Sequence, residues 1–131
     1  MLITREMDYA LRILRALHQG GQLSAAAVAQ REHMPKAITL KLLNRLLSVG
    51  IVESRRGVNG GYFLKRSCEE LKIFDLLQAL GDPPLVNRCQ REGYSCENYP
   101  KGGCGVCREL CRIQDILNQE LQRTPLSDIF Q

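Results

Sequence analysis

The chain has 131 residues, 44% hydrophobic and 24% charged, an ordinary soluble composition that suits one domain, or a small domain with an added segment, and that can bury a modest core. The net charge of +4 is unevenly spread: residues 1–66 hold 11 Lys and Arg against 4 Asp and Glu, and residues 67–131 hold 7 against 10. A basic N-terminal half points to a polyanionic partner, of which nucleic acid is the common case, while the absence of any run of about 18 apolar residues argues against a membrane span.

Arg5, Glu6, Asp8 and Arg12 interrupt the N-terminal apolar residues, so no secretory h-region forms and a cytoplasmic protein is expected. Thr4 caps a first helix running to about Gln19, with Met7, Ala10, Leu11, Leu14 and Leu17 as its apolar face. Gly20-Gly21 ends it. Ser24 caps a short alanine-rich helix to about Glu32, and a break at His33-Met34 leads to Pro35, which suits the first turn of a third helix. That helix runs from Lys36 to about Val49, with Ile38, Leu42, Leu43, Leu46 and Leu47 as its buried side and Gly50 just past its end.

Two short apolar segments follow, Ile51–Ser54 and Tyr62–Leu64, joined by Arg55-Arg56-Gly57-Val58-Asn59-Gly60-Gly61. This predicts a hairpin with a glycine-rich, cationic tip. Ser67 and Glu70 have capping-box spacing, ahead of a helix with Leu71, Phe74, Leu77 and Leu80 on one side. Gly81 closes it and Pro83-Pro84 forbids continuation. From Asn87 to Gly105 the pattern dissolves into Gly, Pro, Asn and Cys, a length of loop that needs a stabiliser other than a core. The last helix spans about Val106 to Gln122, with Val106, Leu110, Ile113, Leu117 and Leu121 as a stripe. Thr124-Pro125 stops it, and Leu126, Ile129 and Phe130 form an apolar tail.

Three helices followed by a two-stranded wing is the winged helix-turn-helix order. The third helix fits the DNA major groove, where Lys36, Ala37, Thr39 and Lys41 would face base edges and Arg45, further along, would reach phosphate. Arg55 and Arg56 of the wing would meet phosphates or the minor groove, with Asn59 at the tip, while Gly57, Gly60 and Gly61 allow positive φ and close backbone approach. The fold class expected is mainly α with a small β-wing, divided into a DNA-binding domain at 1–66 and a cysteine-rich loop with a long helix at 67–131, packed as one compact unit.

Six cysteines are present, and Cys89, Cys96, Cys104, Cys107 and Cys111 fall within one short stretch. Cys68 stands apart and reads as structural. Without an export signal the group reads as metal-binding or redox-active rather than as disulfides. Cys104 and Cys107 have the spacing to close on one centre, with Cys89 and Cys96 completing four ligands. Cys111 lies one turn beyond Cys107, and its ordinary reading is a small hydrophobe buried in the helix. Four thiolates suit a 2Fe–2S or 4Fe–4S cluster, or tetrahedral zinc. A thiol–disulfide oxidoreductase would need the Cys-x-x-Cys pair beside a βαβ pattern, and none is present, so no enzyme activity is expected.

The opening L-I-T-R-E-M-D-Y-A-L-R, the stretch P-K-A-I-T-L-K-L-L-N-R-L and, most specifically, V-G-I-V-E-S-R-R-G-V-N-G-G-Y resemble the IscR/NsrR/CymR-like family of bacterial winged helix-turn-helix transcriptional regulators, over nearly the whole chain. The resemblance implies a homodimer joined through the long C-terminal helix, reading two half-sites of a pseudo-palindromic operator in double-stranded DNA as a repressor or activator. It further implies the cluster-binding branch, with Cys89, Cys96 and Cys104 as three iron ligands. Cys107 occupies the position at which some members carry a histidine ligand. Asp8 occupies the place of a carboxylate that others take from the partner subunit. Cys107 is the first choice of fourth ligand, Asp8 the second and Cys111 the third.

Overall fold

The computed structural model describes residues 2–81, 83–97, 99 and 103–131. Helix α1 (Arg5–Gly20) starts where the Thr4 hydroxyl accepts the Met7 N–H at 3.3 Å and ends where Gly21, at φ 72°, donates to the Leu17 carbonyl. Its buried face holds the expected Met7, Ala10, Leu14 and Leu17, and also Ile13 and Ala16, while Leu11 is half-buried. Helix α2 (Ala25–Arg31) is capped by the Ser24 hydroxyl on the Ala27 N–H at 3.1 Å. The turn into α3 (Lys36–Ser48) passes through His33 at φ 52° and buries Met34. A non-glycine residue in the left-handed region reverses the chain tightly enough to set α3 across α1 and α2.

Strands β1 (Val52–Arg55) and β2 (Gly61–Leu64) form an antiparallel pair in the register Val52↔Leu64 to Arg55↔Gly61. Leu23, from the α1–α2 connection, bridges β2 through Tyr62, with N–H···O distances of 3.0 and 2.7 Å. The wing is thereby joined to the helical body on its second edge as well. The expected capping box at Ser67 and Glu70 does not form: Ser67 to Leu71 makes a turn, and α4 (Ile73–Leu80) begins later. Asp75 supplies its cap by accepting the Lys72 N–H at 2.8 Å. The Ser67 carbonyl accepts the Glu70 and Leu71 N–H groups and its hydroxyl accepts the Glu69 N–H, which holds the turn closed ahead of the helix.

Beyond α4 come a 3-10 turn (Arg88–Gln90), helix α5 (Gly105–Leu121) and a short α6 (Leu126–Ile129). The apolar tail folds back into the body. Leu126 donates to the Leu71 carbonyl at 2.9 Å, Ser127 to the Cys68 carbonyl at 3.0 Å, and the Gln19 amide to the Phe130 carbonyl at 2.9 Å. Leu126 and Phe130 enter the same hydrophobic core as Ile13, Leu14, Leu42, Leu46, Leu71 and Leu76. Most of α5 stays outside that core. Val106, Ile113 and Ile116 are exposed, Leu110, Leu117 and Leu121 are half-buried, and Gln114 is its one buried residue among those described.

Cys68 is fully buried, and burial pushes its thiol from an ordinary value of 9.0 up to about 11. The folded protein therefore binds this proton more tightly than the unfolded chain. Its contribution to stability is complete below about pH 9 and is lost as the pH rises through about 11. Urea denaturation across this range is expected to show an alkaline fall in stability that a Cys68→Ala variant lacks in part, and alkylation of Cys68 at neutral pH should require unfolding.

Candidate nucleic-acid interface and cysteine site

The orientation of α3 follows from what it buries. Thr39, Leu42, Leu43 and Leu46 have essentially no exposure and face α1 and α2. Thr39, expected at the base edges, is turned inward, where its hydroxyl donates to the Pro35 carbonyl at 3.0 Å. A threonine satisfied by its own helix in this way behaves as a core residue. Ile38 and Leu47, expected in the core, flank the buried face and are 37% and 39% exposed. The opposite face presents Ala37, Lys41, Asn44 and Ser48, with Lys36 and Leu40 beside them, all exposed. Leu40 and Asn44 were not among the expected contacts. The 3.6-residue period through Thr39 and Leu43 places both outward once Thr39 is known to be inside.

Two cations of α3 are already engaged. Glu6, in the first turn of α1, accepts Lys41 Nζ at 2.8 Å and Arg45 Nη1 at 2.7 Å. Hydrogen bonding to Lys41, then the charges of Lys41 and Arg45, hold the Glu6 carboxyl below its ordinary value. Arg45 also donates to the Leu80 carbonyl at the end of α4. Arg45, expected at phosphate, is thus a tie between α3, α1 and α4. On α2, Arg15 of α1 forms an ion pair with the buried Glu32, which locks α2 against α1 behind the outward face of α3.

The wing presents Arg55, Arg56 and, at its tip, a fully exposed Val58. The Arg55 guanidinium lies 5.6 Å from the centre of the Phe63 ring, which limits its freedom before any partner arrives. The Gln22 amide donates to the Asn59 carbonyl and braces the tip from the body. Gly57 turns the chain at φ 109°. At Gly60 a Cβ would run into the Arg55 and Gly57 carbonyl oxygens.

All six cysteines are free thiols. Cys104 is the N-cap of α5, its sulfur accepting the Cys107 N–H at 3.4 Å. The 3-10 turn is docked on α5 by the Gln90 amide, which donates to the Leu110 carbonyl at 2.8 Å. That docking sets the Cys89 segment against α5, on which Cys111 follows Cys107 by one turn. The Cys107 thiol is pushed up to about 11, first by its hydrogen bond with Cys89, then by desolvation and by Cys111. Cys89 and Cys111 are thus the thiols that act on Cys107. Cys111, expected as a small hydrophobe buried in the interface helix, is exposed on the single chain, where no partner covers that helix. Cys96 lies in the loop, half-buried. Asp8 is on α1, paired with Arg12 at 3.0 Å. Part of the expected cysteine loop, at residues 98 and 100–102, lies outside the described residues.

The donor chemistry fits a thiophilic group, since neighbouring sulfurs gather at the start of one helix. Among the described residues, however, no three metal-ligating side chains are converged closely enough to hold an ion as placed.

The family described as Rrf2, an iron-dependent transcriptional regulator, matches residues 3–131. The chain belongs to the Rrf2 family. It is a transcriptional regulator of winged-helix fold and not an enzyme. The chain is 33% identical over 97 residues to the HTH-type transcriptional regulator IscR of Pectobacterium carotovorum, covering 71% of this chain and 59% of that one. It is 28% identical over 132 residues to protein aau3 of Rhizobium meliloti, covering 98% and 84%. Among solved structures, CymR, the global cysteine regulator of B. subtilis, superposes with a TM-score of 0.75 at 26% identity, covering 98% of this chain and 95% of that one. As a member of this family the chain is expected to work on DNA, and no described helix is long and apolar enough to cross a membrane.

The Gly60 environment gives a direct test of the wing. A Gly60→Ala variant must move backbone rather than a flexible side chain, so it is expected to lose about 1–3 kcal/mol of stability by thermal or denaturant unfolding. Affinity for duplex DNA should fall at the same time, because Arg55 and Arg56 are displaced with the turn.

Proposed function

We infer that this Rrf2-family chain is a cytoplasmic, homodimeric regulator whose affinity for a pseudo-palindromic DNA operator is set by an iron–sulfur cluster held in its C-terminal half. The observation that carries this reading is the docking of the Arg88–Gln90 turn, which bears Cys89, onto α5, the helix capped by Cys104 and bearing Cys107 and Cys111, in a family described as iron-dependent. Cys89, Cys107 and, from the loop and the helix cap, Cys96 and Cys104 would hold the cluster, with Cys111 or Asp8 as the alternate fourth ligand. When bound, such a cluster supplies a redox- and nitric-oxide-sensitive centre.

The chain's own residues do the rest. Lys36, Ala37, Leu40 and Asn44 on the outward face of α3 supply the major-groove contacts, Lys41 on the same face supplies a phosphate contact, and Arg55, Arg56 and Asn59 of the wing supply phosphate or minor-groove contacts. The exposed Val106, Ile113 and Ile116 on α5 support a two-fold dimer, because a helix with that much apolar surface in water is stabilised by a second copy. The Gln114 amide connects the loop to this helix. It donates to the Pro84 carbonyl at 2.6 Å and accepts the Val86 N–H at 2.7 Å, so the segment leading to Cys89 and the dimer helix move together.

Absorption spectra with iron, sulfide and zinc analysis of anaerobically purified protein test the reading. Visible absorption with matching iron and sulfide, lost in Cys89→Ala and Cys107→Ala, is the expected result. A colourless protein that resists anaerobic reconstitution overturns the cluster, and its zinc content then separates a structural zinc site from a thiol switch. In parallel, Arg55→Gln and Arg56→Gln should each lower the slope of log affinity against log salt by about 0.9 for each phosphate contact removed.

A further inference from the structure

Glu6 stands at the edge of the outward face of α3 and shares its two carboxylate oxygens between two cations of that helix. The cations differ in what else they hold. Arg45 is fixed from two sides, by Glu6 and by the Leu80 carbonyl. Lys41 is 62% exposed and is held by Glu6 alone among the described residues. An ammonium on a four-carbon stem swings to a new acceptor readily, whereas a guanidinium bonded at two points does not. The carboxylate is itself well placed to stay ionised, at the positive end of α1. Glu6 is also an oddity on a surface that should attract phosphate. Its negative charge lies where a polyanion would approach, and its position wastes one of the few cations on the outward face.

We propose that Glu6 is a catch on the reading helix: in the free chain it holds Lys41, and on binding duplex DNA it releases the Lys41 ammonium to a backbone phosphate while keeping Arg45. The proposal rests on α3 being the DNA-reading helix. Both partners are half-exposed or more, so the pair is weak and its exchange is easily reversed. Transfer of the ammonium to a phosphate displaces a condensed counterion, which the carboxylate cannot offer in return. Every encounter with DNA therefore opposes a small barrier that the free lysine would not present, and weak, poorly seated encounters are disfavoured most.

The test uses the full chain with Glu6→Gln, Lys41→Gln and the double variant, titrated against mixed-sequence duplex DNA at several salt concentrations. Both substitutions are at exposed positions, and equal thermal unfolding confirms that the fold is retained. Glu6→Gln is expected to tighten binding by about two- to fivefold with an unchanged salt slope. Lys41→Gln should lower the magnitude of the slope by about one. Added to Lys41→Gln, Glu6→Gln should give little further gain, the non-additivity expected when one residue acts through the other. A gain from Glu6→Gln that is the same with and without Lys41 shows simple repulsion and overturns the catch, as does weaker binding by Glu6→Gln. Binding that Lys41→Gln leaves unchanged in affinity and slope overturns the assignment of α3 as the reading helix.

Discussion

One stripe of α1, formed by Ala10, Ile13, Leu14 and Leu17, has essentially no contact with water, and the arrangement of the other elements follows from covering it. Helix α3 covers it from one side with Leu42, Leu43 and Leu46. Leu71, Leu76, Leu126 and Phe130, from the second half of the chain, complete the cover. Burial of side chains this size stabilises by about 1.5–3 kcal/mol each, so the helix-turn-helix is not free to fold around a different partner. Because the inward face of α3 is committed, its outward face is settled too. The surface proposed to meet DNA is a by-product of the packing on α1.

The polar ties reinforce that commitment at its margins. Arg15 and the buried Glu32 fasten α2 to α1, Leu23 stitches the wing to the body, and Gln19 catches the returning tail at Phe130. Each joins segments far apart in sequence but adjacent around α1. Residues of the basic N-terminal half and of the acidic second half therefore share one hydrophobic core, although their charges divide them.

Much of this was legible in the sequence. Thr4, Ser24, Gly21 and Gly50 mark helix ends by local chemistry that does not depend on the rest of the fold, and Arg55–Gly61 announces a tight turn in the same way. What was not legible depends on tertiary contacts. Thr39 is polar, and only its bond to the Pro35 carbonyl makes it a core residue, so the buried face of α3 was read correctly at Leu42, Leu43 and Leu46 but included Ile38 and Leu47 and missed Thr39. The start of α4 was misplaced because Ser67 and Asp75 compete as caps, and the turn at Ser67–Leu71 decides between them. For the cysteines, spacing along the chain favoured Cys104 with Cys107. Docking of the Arg88–Gln90 turn sets Cys89 against α5, and the Cys104 sulfur caps that helix on the Cys107 N–H. No sequence period encodes a contact of that kind.

The Gln114 clamp has a mechanical consequence. It pins α5 to the Pro84–Val86 segment near the middle of the helix, with Cys107 seven residues before it and Leu121 seven residues after it. At 1.5 Å of rise per residue each arm is about 10 Å long. A rigid helix held at its midpoint is a seesaw of equal arms. Whatever displaces the sulfur end of α5 sideways displaces Leu121 by a similar amount in the opposite direction, and Leu121 rests against the core beneath the helix-turn-helix.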